Sequence, residues 1–297
     1  MDEQQWLADR FEEQRPHLRS VAYRMLGSLT EADDAVQDTW VRLSRSGTSE
    51  VENLGGWMTT IVARVCLNLL RSRKVRLEEA LGVHLPDPLV RSPEDEAVLA
   101  DSVSLALLVV LDTLTPAERL AFVLHDMFDL PFEDIATMVG RSPAAARQLA
   151  SRARRRVKGA EIPTPDADIA RQRKVVDAFF QAARGGDFEA LVALLDPNVV
   201  LRSDGGAGRP TTVVIRGARA VAGQALGGGA PGERVRDTAV LVPVLINGAA
   251  GVVVTIKGRP FTVMAFTVTG GKIVAMDIIA DPERVRRIAA PGLTQVR

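Results

Sequence analysis

One segment, residues 130–159, places basic and polar side chains along a single face of a predicted helix. A short amphipathic helix ends at Gly140, and Ser142 followed by Pro143 is typical of the start of another. On this second helix alanines, a leucine and a valine form one stripe. The opposite side carries Arg147, Gln148, Ser151, Arg154, Arg155 and Lys158. Arginine forks and amide groups suit phosphates and base edges, so the pattern predicts a helix-turn-helix that reads DNA. The alternative is an ordinary helical hairpin whose basic side is solvated.

A second basic face lies on a helix predicted from Trp57 to about Arg73, after a break at Gly55-Gly56. Apolar residues cluster on one side of this helix. The other side carries polar residues at i, i+4, i+8 and i+11, namely Thr60, Arg64, Asn68 and Arg71. A helix with that face can lie along DNA, although a basic face alone is a weak signal.

An acidic face precedes both basic helices. Thr30 is the predicted N-cap of a helix with acids in its first turn. One side of this helix is apolar, and the other carries Asp34, Gln37 and Asp38. A helix face of this kind complements a basic protein surface rather than DNA.

The helices that carry these faces belong to a chain of ordinary globular composition. It has 297 residues, 46% hydrophobic and 25% charged, and a net charge of zero, so it is neither disordered nor fibrous. No apolar stretch approaches the ~20 residues of a membrane span, and the acidic amphipathic start is no signal peptide. One cysteine and three scattered histidines predict no metal site and no cofactor, and they favour a reducing cytoplasm.

Proline-bearing segments divide the chain. GVHLPDPLVRSPEDE reads as an extended linker, after which helices resume through SVSLALLVVLDTL. Thr115 to Glu118 form a predicted capping box with Pro116 in the first helical position. A second linker, GAEIPTPDAD, follows the basic helix. Two further helices and six valine-rich strands then predict an α+β domain with an antiparallel meander, whose last hairpin turns at Gly270-Gly271.

In this order, the helical pieces resemble the bacterial sigma-70 family, specifically the small extracytoplasmic-function sigma factors. EADDAVQDTWVRL resembles region 2.2, which docks on the β′ coiled coil of RNA polymerase, and LGGWMTTIVARVCLNLLRSRKVR resembles regions 2.3 and 2.4, which open and read the −10 element. The segment from Leu111 to Val157 resembles region 4, which reads the −35 element and contacts the β flap. The resemblance covers residues 6–158.

The resemblance implies roles for three groups of residues. Core polymerase binding falls to Asp33, Asp34, Gln37, Asp38 and Trp40. Contact with the −10 element falls to Trp57, Thr60, Arg64, Asn68, Arg71 and Arg73. Contact with the −35 element falls to Ser142, Ala144, Arg147, Gln148, Ser151, Arg152, Arg154, Arg155 and Lys158.

The C-terminal part resembles the SnoaL-like cone of polyketide cyclases, isomerases and their non-enzymatic relatives. A sigma subgroup carrying such a cone has three signature segments, and HLPDP, DGGAGR and DPERV are versions of them. The resemblance implies a regulatory role, with Arg209 beside the glycines pairing with Asp87. The residues so implicated are Pro86, Asp87, Pro88, Asp204, Gly205, Gly206, Arg209, Asp281 and Pro282.

The predicted organisation is therefore multidomain: two all-α domains followed by an α+β SnoaL-like cone with a curved antiparallel sheet. We place sigma region 2 at 1–78, a linker at 79–100, region 4 at 101–160, a second linker at 161–167 and the cone at 168–297. His17, His84 and His125 lie outside the cone, which leaves Asp204, Asp277 and Arg202 as its acid–base candidates. A regulatory cone is favoured over a catalytic one.

The sequence thus predicts an alternative sigma factor, not an enzyme, that brings core RNA polymerase to promoter DNA without a cofactor or a membrane. The fused cone adjusts its activity, and a small ligand in the cone is left open as a further partner. Two rivals are a ligand-responsive helix-turn-helix regulator and a sigma factor fused to a metabolite-processing SnoaL-like enzyme. A melting module in region 2 argues against the first rival, since such a regulator has no need of one.

Overall fold

The computed structural model of the protein describes residues 3–45, 53–77, 85–93, 103–204, 213–227 and 239–293. The chain divides into two compact units. One unit combines Met1–Leu81 with Leu107–Glu161, and the other combines Gly82–Ala106 with Ile162–Arg297. This division groups the two helical regions together and places the described residues 85–93 of the first linker with the C-terminal unit, while the predicted domain boundaries stay a prediction.

Three long helices form the first half of the helical unit: α1 (Glu3–Leu26), α2 (Leu29–Leu43) and α3 (Leu54–Leu77). The N-cap of α2 is Ser28, not Thr30, because Gly27 turns the chain at φ +68° and the Ser28 hydroxyl accepts from the Glu31 amide at 3.4 Å. Helix α3 includes the Gly55-Gly56 pair that was predicted to precede it, since the Asn53 carboxamide accepts from the Gly56 amide at 2.9 Å.

Four helices follow in the second half: α4 (Leu105–Asp112), α5 (Pro116–Phe122), α6 (Phe132–Val139) and α7 (Pro143–Gly159), with a π-helical turn at Val123–Met127. The predicted capping box is confirmed. The Thr115 hydroxyl accepts from the Glu118 amide, and the Glu118 carboxylate accepts from the Thr115 amide at 3.1 Å. Burial raises the pKa of Glu118, but the hydrogen bonds that the Thr115 hydroxyl and amide donate to its carboxylate, together with the charge of Arg156, outweigh burial and leave that pKa lowered.

The C-terminal unit is an α+β fold. Helices α8 (Ile169–Gly185) and α9 (Phe188–Leu194) precede β2 (Leu195–Ser203), β3 (Val213–Arg216) and α10 (Ala218–Gly227). Strands β4 (Ala239–Ile246), β5 (Ala249–Ile256), β6 (Arg259–Thr269) and β7 (Lys272–Ile279) follow, and α11 (Pro282–Leu293) is the last helix described. The six predicted strands are confirmed.

The sheet differs from the predicted antiparallel meander in two ways. With Val90–Arg91 as β1, its order is β1-β4-β5-β6-β7-β2-β3. Strand β2 pairs with β7 in parallel, so the sheet is mixed and not closed into a barrel. The two-residue β1 (Val90–Arg91) comes from the first linker and pairs antiparallel with the end of β4. Strand direction is set by how the chain returns, which the hydrophobic pattern alone does not determine.

One face of the sheet, together with α8, α9 and α10, encloses an apolar core. Its aromatic centre is formed by Phe179, Phe180 and Phe266, whose rings lie 5.7–5.9 Å apart. The other face is covered by α11, which packs on β6 with Val285, Ile288 and Ala289 almost fully buried. None of the described helices is long and apolar enough to span a bilayer.

Candidate nucleic-acid interface and linker junction

Helix α7 presents the predicted recognition face to solvent. Gly140 ends α6 in the left-handed region at φ +69°, and the Ser142 hydroxyl caps α7 by accepting from the Ala145 amide. The small residues Ala146, Ala150 and Ala153 are buried against the rest of the helical unit. The nine residues predicted to meet the −35 element are all exposed: Ser142, Ala144, Arg147, Gln148, Ser151, Arg152, Arg154, Arg155 and Lys158.

Two arginines of this face already have acidic partners. The Arg147 guanidinium lies 3.0 Å from the Glu133 carboxylate and 5.5 Å above the Phe132 ring, and Arg154 pairs with Asp126. Such exposed pairs contribute little to stability, so phosphates can displace the carboxylates at small cost. The pairs hold the Arg147 guanidinium beside α6 and the Arg154 guanidinium beside the π-helical turn.

Helix α3 brings Arg64, Asn68 and Arg71 to the surface, while Trp57 and Thr60 are half-buried on the same helix. Arg73 behaves differently from the others in its predicted group. Its Nη1 donates to the Leu26 carbonyl at 3.1 Å and its Nη2 pairs with Glu31. Arg73 therefore caps the end of α1 within the helical unit instead of facing outward with its neighbours.

Helix α2 exposes Asp34 and Gln37. The adjacent acids are engaged locally, since Asp33 pairs with Arg19 and Asp38 pairs with Arg42 at 2.9 Å. Trp40 packs against the Phe11 ring at 5.0 Å between centroids, so its indole lies partly between α1 and α2. The predicted acidic face is present, and part of its charge is balanced by arginines on the same two helices.

Arg284 of α11 connects the first linker to the C-terminal unit. Its Nη2 lies 2.7 Å from Asp87 Oδ1 and 2.8 Å from the Leu85 carbonyl, and its Nε also donates to Asp87. The Asp87 side chain is only 3% exposed, and Arg287 approaches it at 4.0 Å. We name the group Leu85, Asp87, Asp204, Asp281 and Arg284 the linker junction.

The other members of the linker junction hold the start of α11. The Asp204 carboxylate accepts from the amides of Ala280 and Asp281 and lies 3.6 Å from Arg284. Asp281 caps α11, accepting from the Arg284 amide at 2.9 Å, and Pro282 is the first helical residue. The structure thus brings together one residue or more from each of the three predicted signature segments.

Gly205, Gly206 and Arg209 lie outside the described residues, so the Arg209–Asp87 pair stays a prediction. Asp87 pairs with Arg284, a residue inside the quoted DPERV segment whose importance was missed. The signal was available, because an arginine three residues after a helix N-cap points back over the first turn.

Asn247 is a second residue that sequence reasoning missed. Together with Gly248 it forms the tight turn between β4 and β5, with φ +49° and +80°. Its Oδ1 accepts from the Leu89 amide at 2.9 Å and its Nδ2 donates to the Val103 carbonyl at 2.9 Å. The turn therefore binds Leu89 of the first linker and also Val103, just after that linker, within the C-terminal unit.

The second linker is also anchored in this unit. The Asp166 carboxylate accepts from the amides of Gly270 and Gly271 at 2.8 and 3.0 Å, and the Asp166 amide donates to the Val268 carbonyl. These two amides lower the pKa of Asp166. Thr269 donates to the Thr164 carbonyl from the same hairpin.

The acid–base candidates of the cone do not converge on its interior. Asp277 and Arg202 form an ion pair at 2.6 Å across neighbouring strands, on the face opposite the apolar core. Asp204 is occupied at the linker junction. A separate cleft of about 470 Å³ lies beside α9 and the start of α10, and its lining includes Arg216 and Arg219.

The comparisons with known proteins agree with this geometry. Residues 10–76 match sigma-70 region 2 and residues 104–157 match sigma-70 region 4. The chain is 33% identical to the probable ECF RNA polymerase sigma factor SigI of Mycobacterium tuberculosis, over 93% of each chain. It is 36% identical to the ECF RNA polymerase sigma factor SigJ of the same organism, over 92% of this chain and 91% of that one.

A solved structure extends the likeness to the whole fold. The crystal structure of Mycobacterium tuberculosis SigJ superposes with a TM-score of 0.72 at 33% identity, covering 96% of this chain and 99% of that one. The helical sigma regions and the C-terminal SnoaL-like domain were therefore both predicted correctly from sequence. The chain belongs to the extracytoplasmic-function sigma factors of the sigma-70 family and is an alternative sigma factor that directs transcription initiation.

Proposed function

We propose that this sigma factor docks on the β′ coiled coil of core RNA polymerase through the exposed side of α2 and on the β flap through region 4. Asp34 and Gln37 support the first contact, because they lie side by side on an exposed helix face next to further acids. Charge complementarity of this kind speeds association and fixes orientation.

In the same proposal, α3 meets the −10 element and α7 the −35 element. The exposed groups Arg64, Asn68 and Arg71 support the first assignment, and the exposed side of α7 supports the second. Arg73 acts as a cap inside the helical unit, so we remove it from the proposed DNA contacts.

The C-terminal unit has a regulatory role in this proposal, and the linker junction is the observation that carries it. The segment joining region 2 to region 4 is not a free tether, because Arg284 and Asn247 bind it at four hydrogen-bonding positions. A linker held in this way restricts where the two promoter-reading regions can go. Loosening it lowers the free-energy cost of extending the chain along DNA.

Regulation is favoured over catalysis. The described interior of the cone is lined by apolar side chains, and its carboxylates are committed to Arg202 and to the linker junction. A general base needs a carboxylate that can reach a bound substrate. Because a sigma factor acts together with RNA polymerase, we also propose that the protein acts in the cytoplasm.

Run-off transcription with purified core RNA polymerase tests the proposal. Asp34→Lys is expected to weaken core binding at least about tenfold, because it reverses a charge on the docking face. Glu189→Lys, at another exposed acid on α9, is the matched control and should bind core as the parent chain does. Equal core affinity for the two variants, with unchanged helical circular dichroism, contradicts the docking assignment.

The regulatory part is tested by Asp87→Asn in the full-length chain. We expect more run-off transcript at equal protein concentration, since the linker is less firmly held. Arg286→Met on the exposed side of α11 is the control. Transcript yields that are unchanged, or reduced, in Asp87→Asn contradict the idea that the C-terminal unit restrains the linker.

A further inference from the structure

The cleft of about 470 Å³ in the C-terminal unit lies where α9 runs into β2 and where β3 turns into α10. We call it the side cleft. Small-molecule sites in proteins usually have volumes of roughly 300–1,000 Å³. The side cleft is therefore large enough for a small organic molecule.

The lining of the side cleft combines an apolar surface with positive charge. Leu195 and Ala218 belong to the apolar core and Val192 packs against it, so the cleft is floored by the edge of that core. The charged side chains among its described lining residues are two arginines, Arg216 and Arg219. An apolar floor with cations beside it suits a ligand that has a hydrocarbon part and a negative charge.

Arg219 is positioned by α9. Its guanidinium carbon lies 4.8 Å from the centre of the Phe188 ring, and its Nη1 lies 3.5 Å from the Glu189 carboxylate. The side chains of this ion pair are 71% and 76% exposed, so the pair contributes little and a ligand anion can replace Glu189 at small cost. The contact with Phe188 meanwhile keeps the guanidinium beside α9.

Arg216 supplies charge that no acid of the described chain neutralises. It is exposed at the end of β3, and among the described residues it forms no ion pair. The next residue, Gly217, has φ +90° and donates to the Val199 carbonyl at 2.8 Å. This sharp turn brings the end of β3 and the first turn of α10 to the same cleft.

The first turn of α10 adds hydrogen-bond donors to the two arginines. The Val221 amide donates to the Gly217 carbonyl at 3.0 Å, and the amides of Ala218, Arg219 and Ala220 come before it in the helix. Such amides have no partner within their own helix, and a glycine has no side chain to accept from them. They add to the attraction that the arginines have for an anion.

We propose that the side cleft binds a small carboxylic acid with an apolar body. Arg216 and Arg219 hold its carboxylate, and its hydrocarbon part lies on Val192 and Leu195. A phosphate ester suits this lining less well, because more of its oxygen atoms would lie against apolar side chains.

This site is separate from the linker junction, and the proposal goes beyond the sigma function. The side cleft lies at the start of β2, whereas Asp204 follows the end of that strand. Nine residues of extended chain span roughly 30 Å. A ligand in the side cleft therefore does not contact the linker junction, and its binding can be measured whether or not the C-terminal unit regulates transcription.

Methyl NMR of the full-length chain with octanoate as the probe tests the proposal. Val192 reports on the side cleft, and Val252, buried on β5 three strands from β2, reports on the interior. We expect saturable shifts at Val192 and little change at Val252. The absence of saturable shifts at millimolar octanoate, or shifts that saturate at Val252 instead, overturns the proposal.

Two further probes test the class of ligand. Octanol has the same chain length without the charge, and we expect it to bind about tenfold more weakly, as for the loss of a charge-assisted hydrogen bond. Equal affinity for octanol and octanoate shows that no carboxylate is recognised and overturns the proposal. Inorganic phosphate should bind more weakly than octanoate. Phosphate that binds as tightly as octanoate overturns the carboxylic acid assignment.

Variants then test the named residues. Arg216→Met removes one cation and Ala220→Leu fills the cleft, and each should weaken octanoate binding about tenfold. Arg184→Met, at an exposed arginine on α8 that is not part of the described lining, is the control and should bind octanoate as the parent chain does. An unchanged Val252 signal shows that a variant is folded. Parental affinity in both Arg216→Met and Ala220→Leu overturns the site, and it leaves the proposed function, which run-off transcription tests, intact.

Discussion

Replacing Arg284 by methionine should release the first linker from the C-terminal unit. The substitution removes the guanidinium that Asp87 meets at 2.7 Å and that also binds the Leu85 carbonyl. It removes the shortest described ion pair of the Asp87 carboxylate, which is 3% exposed and has Arg287 at 4.0 Å. Removing one partner of a buried ion pair typically costs ~3–5 kcal/mol.

Since Arg284 itself is 18% exposed, we take the lower end, about 3 kcal/mol, as the loss in the local opening free energy. Each 1.4 kcal/mol is tenfold, so the linker should open roughly 100 times more often. Hydrogen exchange of the Leu89 amide reports this opening, because that amide donates to Asn247 and is protected only while the linker is docked.

Arg286→Met is the matched control, on the same helix with one hydrogen bond to the nearby Pro282 carbonyl. Its effect on Leu89 exchange should stay within about threefold, as for other exposed substitutions. If Arg284→Met leaves Leu89 as protected as in the parent chain while β4–β7 stay folded, the linker is held by other contacts and the reasoning is wrong.

Three further predictions follow from single residues. Asn247→Ala should lower the free energy of unfolding of the C-terminal unit by about 2–3 kcal/mol, measured by thermal unfolding, because it removes two hydrogen bonds and places alanine at a positive φ. Asn247→Gly also lacks the two hydrogen bonds but tolerates the positive φ, so it should recover part of the lost stability. Glu118 has a lowered pKa, so its contribution to stability is present above its ordinary pKa near ~4.3 and is lost as the pH falls. The stability difference between parent and Glu118→Gln should therefore shrink from pH 6 to pH 3 in denaturant titrations. In transcription from a set of promoter variants, Arg147→Ala should relax specificity at one base pair by ~1–3 kcal/mol. Lys158→Ala should instead weaken binding to all promoters alike and reduce the salt dependence of binding. Identical promoter-specificity profiles for the two variants would contradict this division of roles.

Local signals predicted region 4 closely. Gly140, Ser142 and Pro143 act through their own backbone and neighbouring amides, so their roles can be read without knowing the tertiary structure. The capping box at Thr115 is equally local. The exposed side of α7 followed from helical periodicity, because its alanine stripe had to be buried.

Long-range pairing was much harder to predict. The parallel alignment of β2 with β7 joins segments about 75 residues apart, and nothing in either strand's own pattern sets its direction. The pairing of Asp87 with Arg284 was missed for the same reason. Nothing in the local sequence singles out Asp87 as the partner of Arg284, and only the fold places the two side chains 2.7 Å apart.

For the first linker, the sequence predicted the backbone conformation but not the burial. Its prolines correctly predicted extended backbone, but not that this backbone would be buried and join the sheet. Pro86, Pro88 and Val90 are buried, and Val90–Arg91 adds a short strand to the sheet. A proline-rich segment carries few amide donors of its own, which suits it to lie against another surface as well as to remain in water.

The anchoring of both linkers changes how a fused domain can control a sigma factor. Residues 85–93 and 164–166 flank region 4 in the sequence, and each is bound by the C-terminal unit through buried or charged hydrogen bonds. Region 4 is therefore connected at both of its chain ends to segments whose docking depends on that unit. A ligand or modification that shifts the stability of the linker junction would alter the freedom of region 4 without touching its DNA-reading face. An appended domain joined by one flexible tether has no such means of control, because its stability is not linked to the position of the chain it follows.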